Sequence, residues 1–127
     1  MRDANHLSLS GVNVLVASED RDLRIVYGNI LGGAGASVTL ADSTENALAL
    51  AAQLRPDVVI AALKERRTVA LLFRIRAVAG LSEVPVMAVV ARGAPITVND
   101  GFADVVEHPF DPPDLLARVA RLARRTS

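Results

Sequence analysis

The chain has 127 residues, of which 51% are hydrophobic and 3% aromatic, and its formal net charge is zero. This length is typical of one domain with a core of its own, here built from aliphatic side chains. A neutral chain has no bulk field that attracts nucleic acid or acidic membranes, and the lack of cysteine excludes disulfides, thiolate zinc sites and a cysteine nucleophile. No apolar run reaches the length of a membrane span, so we expect a cytoplasmic protein.

The first half of the chain predicts strands that alternate with helices. Residues 1–10 are polar and aperiodic and indicate a flexible leader, so we assign a single domain to residues 11–127. Short apolar runs predict strands at residues 12–17, 37–41 and 57–62. After the first two strands, apolar side chains recur at helical spacing, with Asp20 and either Ser43 or Thr44 as candidate N-caps.

The second half continues this alternation, with one short connection. The pattern predicts a helix over residues 68–80, strands at 84–91 and 103–108, and a closing helix from Asp111. Residues 92–101 leave room for only one or two helical turns between the last two strands. Five apolar strands alternating with helices predict an α/β fold with a doubly wound parallel sheet, in which ligands bind at the carboxyl ends of the strands.

Four segments, in this order, resemble the receiver domains of response regulators in two-component signalling. They are VNVLVASED, RPDVVIAAL, VPVMAVVA and GFADVVEHPFDPPDLLARVARL. The resemblance covers about residues 11–125 and implies a flavodoxin-like five-stranded sheet in the order 2-1-3-4-5, with the fourth helix shortened here. It also implies a cis peptide bond before Pro109.

The positions that carry phosphoryl chemistry in that family are occupied here by other residues. By resemblance, the phosphoryl-accepting aspartate corresponds to Ala62, the hydroxyl residue to Val90 and the lysine to His108. The acidic pair that helps to hold Mg²⁺ corresponds to Ser18 and Glu19. The resemblance therefore implies a degenerate phosphorylation pocket, consisting of Ser18, Glu19, Ala62, Val90, His108 and Pro109.

These replacements have direct chemical consequences. An alanine methyl group cannot attack phosphorus, so no acyl phosphate can form at Ala62. Magnesium needs oxygen ligands, and the ligand from the third strand is missing. Glu19 and Asp20 could serve equally well as the N-terminal cap and dipole partner of a helix. We expect no metal site, no cofactor and no enzymatic activity.

Two features near this pocket leave alternatives open. His108 could pair with Glu19 and titrate near neutral pH, or it could be a partly exposed histidine without a role. Lys64, Arg66 and Arg67 could bind an anion or an acidic partner, or they could belong to a solvated loop.

Phe73 lies outside the predicted inner stripe of the third helix. It is near Val69 and Ala77 at helical spacing, where a face exposed to solvent should be polar. An exposed aromatic side chain among small apolar residues is typical of an interface anchor. The alternative is that the helix is rotated by its short preceding loop and buries Phe73.

The resemblance, together with these replacements, implies a phosphorylation-independent receiver-like domain that acts in signal transduction or transcriptional regulation through protein–protein interaction. Its partners would be proteins of a signalling pathway, such as a histidine kinase or a fused output domain, and a homodimer is open. The basic stripe of the last helix, Arg118, Arg121 and Arg125, is expected to be a solvated face that does not bind nucleic acid. The alternative function is a small-molecule-sensing module that uses the vacated pocket.

Overall fold

A computed structural model describes residues 8–124, and its elements alternate as predicted. The strands are β1 (Asn13–Ser18), β2 (Ser37–Ala41), β3 (Val58–Ala62), β4 (Val86–Ala91) and β5 (Asp104–His108). The α-helices are α1 (Arg21–Gly33), α2 (Thr44–Leu54), α3 (Glu65–Arg76) and α4 (Pro112–Arg124).

The five strands form one parallel sheet in the order β2-β1-β3-β4-β5. One apolar cluster lies between the sheet and the helices α2 and α3, and a second lies between the sheet and the helices α1 and α4. Burial on both faces explains why the central strands are nearly continuous apolar runs. The predicted flavodoxin-like, doubly wound fold is confirmed.

Side-chain caps start the first two helices where the sequence predicts them. The Asp20 carboxylate accepts hydrogen bonds from the backbone N–H groups of Asp22 at 2.9 Å and Leu23 at 3.2 Å. The Ser43 hydroxyl accepts one from Asn46 N–H at 3.1 Å, so Ser43 rather than Thr44 is the N-cap of α2. Both caps satisfy N–H groups that have no partner within their helix.

Helix α3 begins at Glu65, earlier than the predicted residue 68. Of the two alternatives for Lys64, Arg66 and Arg67, the solvated loop is right about exposure, since all three are exposed, but wrong about a loop, because Arg66 and Arg67 belong to the first turn of α3. The buried Thr68 hydroxyl both accepts from Leu63 N–H and donates to Leu63 C=O, each at 3.0 Å. This pair of bonds closes the chain tightly after β3, so that the helix can start at once.

The connection between β4 and β5 contains a single 3₁₀ turn, Val98–Asp100. Thr97 and Asp100 form a capping box around it. The other three crossovers of the described sheet each contain an α-helix. The predicted shortening of the fourth helix is confirmed, and the layer over β4 and β5 is correspondingly thin.

Leu9 lies inside the predicted leader and yet is fully buried. Its N–H donates to Ala34 C=O at 2.7 Å, so the packed part of the chain includes Leu9. Residues 1–7 and 125–127, which include Arg125, lie outside the described residues. None of the helices between residues 8 and 124 is long and apolar enough to cross a membrane.

Two arginines of α4 form ion pairs with β5. Asp104 is 8% exposed, and its carboxylate accepts from Arg118 Nη1 at 2.7 Å and from Arg121 Nη2 at 2.9 Å. Arg118 also binds Asp114 through Nε at 2.9 Å. Arg121 is exposed, as expected for a solvated face, and Arg118 is partly buried, but the expectation missed that both arginines are bound to Asp104, because a buried carboxylate needs charged partners.

Replacing Asp104 should test how much this cluster stabilises the contact between α4 and β5. We expect Asp104→Asn to lower the free energy of unfolding by about 2 kcal/mol, because two charge-assisted hydrogen bonds to a buried carboxylate are lost. The matched change Asp114→Asn should cost no more than about 0.5 kcal/mol, since that pair is exposed. Urea denaturation measures both, and equal losses would contradict this assignment.

Candidate functional site

The carboxyl ends of β1, β3, β4 and β5 meet in an open cleft of about 650 Å³. Five of the six residues predicted for the degenerate pocket line it, namely Ser18, Glu19, Ala62, Val90 and His108. Pro109 follows His108 through a cis peptide bond, as the resemblance implies, and is exposed. The parallel sheet thus brings together residues that are far apart in the sequence.

The floor of the cleft is apolar. Ala62 is the last residue of β3 and lies opposite Ser18 in the register of the sheet. Val90 is 5% exposed and belongs to the core under α3. Neither Ala62 nor Val90 carries a nucleophile or a hydrogen-bonding side chain, so the centre of the cleft has no group that could accept a phosphoryl group.

The Ser18 hydroxyl is fully buried and is used within its own turn. It accepts a hydrogen bond from Asp20 N–H at 3.3 Å, and Ser18 C=O accepts one from Arg24 Nη1 at 2.7 Å. These contacts attach the end of β1 to the start of α1. Ser18 therefore acts as a structural residue of this turn.

Glu19 binds the N-terminus of α3. Its Oε1 accepts from Lys64 N–H at 3.0 Å, and its Oε2 forms an ion pair with Arg67. An anion is favoured at this position because the first N–H groups of a helix lack internal partners and carry partial positive charge. We call this set of contacts between Glu19, Lys64 and Arg67 the Glu19 clasp.

The residues of the cleft do not fit a magnesium ion. Both oxygens of Glu19 are bound in the clasp, Asp20 caps α1, and Ala62 offers no oxygen from its side chain. Magnesium requires near-octahedral oxygen coordination. Across residues 8–124, no group of three or more carboxylates and histidines is arranged to hold a metal ion.

The backbone donors that follow β3 are also occupied. Leu63 N–H donates to the Thr68 hydroxyl at 3.0 Å, and Lys64 N–H donates to Glu19. An incoming anion would therefore have to displace a contact within the chain to use either donor. The sequence predicted neither bond. Thr68 was placed only near the start of a helix, and Glu19 is 45 residues from Lys64 in the sequence.

His108 packs between aromatic rings on the other side of the cleft. Its Nε2 lies 3.3 Å from Tyr27 Oη, and the fully buried Tyr27 ring stacks on Phe110 at a centroid distance of 5.6 Å. The His108 ring is 5.3 Å from Phe110. The possible pair between His108 and Glu19 is not formed, because each residue is bound to a different helix.

Burial changes the proton affinity of both polar groups in this contact. It lowers the pKa of His108, because the imidazolium form loses hydration, and it raises the pKa of the Tyr27 hydroxyl. A neutral His108 can accept a hydrogen bond through Nε2 from the buried Tyr27 hydroxyl. With both side chains uncharged, this hydrogen bond joins α1 to β5. The sequence indicated Tyr27 only as a core residue of α1.

The solved structures to which this chain is similar include receiver domains and response regulators. A putative response regulator from Chloroflexus aurantiacus has a TM-score of 0.82 and 26% identity, over 90% of this chain and 98% of that one. The Vibrio cholerae chemotaxis protein CheY4 has a TM-score of 0.80 and 22% identity, over 87% and 98%. The receiver domain of a sensor histidine kinase from Pseudomonas aeruginosa, solved with a magnesium ion in its active-site cleft, has a TM-score of 0.81 and 21% identity, over 91% and 99%.

These likenesses show the fold of the chain. No protein-family model matches the sequence, and no curated protein matches it either. The role of the cleft must therefore be argued from its own residues.

Breaking the Glu19 clasp should loosen the start of α3. We expect Glu19→Gln to lower the free energy of unfolding by about 1 kcal/mol, because the ion pair with Arg67 and the charge at the helix N-terminus are lost. Hydrogen exchange should speed up at the Lys64 amide in particular. As the matched control, Glu65→Gln also removes a carboxylate at the N-terminus of α3 but keeps both contacts of the clasp, so the difference between the two variants isolates those contacts. Equal effects of the two changes would argue against the clasp.

The burial of His108 predicts a specific pH dependence. Because the folded-state pKa lies below the ordinary value of about 6.5, the native state binds fewer protons than the unfolded state. Neutral His108 therefore contributes fully to the stability of the fold above the pKa of histidine in the unfolded state. This contribution is lost as the pH falls below that value. We expect the free energy of unfolding to fall as the pH decreases below about 6.5, and His108→Gln to flatten this slope. Urea titrations at several pH values measure it, and an unchanged slope in the variant would exclude His108 as the cause.

Proposed function

We propose that this chain is a receiver-like signalling domain that acts through protein–protein interaction and does not depend on phosphorylation of its cleft. The observation that carries the proposal is Ala62 at the carboxyl end of β3, where the cleft has no nucleophile. The likeness to response regulators and sensor-kinase receiver domains supports a role in signal transduction. By the same likeness we assign the protein to the cytoplasm and give it no enzymatic activity of its own.

The Glu19 clasp supports independence from phosphorylation in a second way. A signal that switches a domain must favour one of two conformations by its differential binding energy. Here the chain after β3 is already bound by the Thr68 hydroxyl and by the Glu19 carboxylate, without any ligand. These contacts favour one arrangement of the β3–α3 junction in the absence of a ligand, and partners would recognise the surface that this arrangement presents.

The sensing of a small molecule by the cleft has less support. The cleft is open, its floor is apolar, and its nearest backbone donors and carboxylates are bound within the chain. Binding sites for small molecules usually combine an enclosed apolar cavity with a few free polar groups that converge on the ligand. The cleft is open rather than enclosed, and the polar groups next to its floor are already bound within the chain.

The surface of α3 is the better candidate for function. Phe73 is 63% exposed and Ala77 is exposed, while Val69 is partly buried against the core. The alternative in which a rotated helix buries Phe73 is thus not realised. We assign the candidate interface to Val69, Phe73 and Ala77, with partners such as a histidine kinase or a fused output domain.

Phosphoryl transfer to the protein can be tested directly. We expect no change of intact mass after incubation with Mg²⁺ and acetyl phosphate, because Ala62 at the end of β3 carries no carboxylate and the residues of the cleft do not fit a magnesium ion. A receiver domain with its acceptor aspartate, treated in parallel, provides the positive control. A stoichiometric phosphoryl adduct on this chain, mapped to a residue of the cleft, would refute the proposed function.

A further inference from the structure

We draw no further inference here: the strongest candidate, the open cavity around Arg55 and Arg76 at the amino ends of β3, β4 and β5, is lined by equal numbers of basic and acidic residues, and both arginines already donate to carbonyl groups of the loop after α3, so nothing in the structure shows what would bind there.

Discussion

The contact between the Glu19 carboxylate and the N-terminus of α3 determines the form of the whole cleft. It joins the end of β1 to the chain that leaves β3, and these are neighbouring strands at the centre of the sheet. A carboxylate at this point compensates the partial positive charge of the helix terminus and the positive charge of Arg67. The contact thereby occupies the Lys64 N–H, which an anionic ligand would need, and the Glu19 carboxylate, which a metal ion would need.

Most of the fold follows from local signals in the sequence. The apolar runs of the strands and the caps Asp20 and Ser43 depend on neighbours within a few residues, so their prediction was reliable. The apolar floor at Ala62 and Val90 could be placed through the resemblance, and the cleft does bring these positions together. The start of α3 was missed because it depends on the bond between Thr68 and Leu63 rather than on apolar periodicity.

The polar contacts of the site could not be predicted, because their partners are distant in the sequence. His108 binds Tyr27, 81 residues away, and Glu19 binds Lys64, 45 residues away. Arg118 was assigned to solvent because periodicity shows which helix face is polar, but not whether a buried acid such as Asp104 lies opposite. Such pairs are set by tertiary packing, which a one-dimensional pattern does not contain.

The methyl group of Ala62 has a consequence for how this fold can evolve. A working phosphorylation site must keep several unpaired carboxylates close together, and such strained arrangements commonly reduce stability in favour of activity. Here the floor is apolar, and the Glu19 carboxylate is compensated by Arg67 and by the N-terminus of α3. The contacts at this edge of the sheet therefore stabilise the fold instead of holding several unpaired carboxylates together. Under the proposed function, substitutions in the cleft are constrained by folding, and substitutions on the outer surface are constrained by recognition.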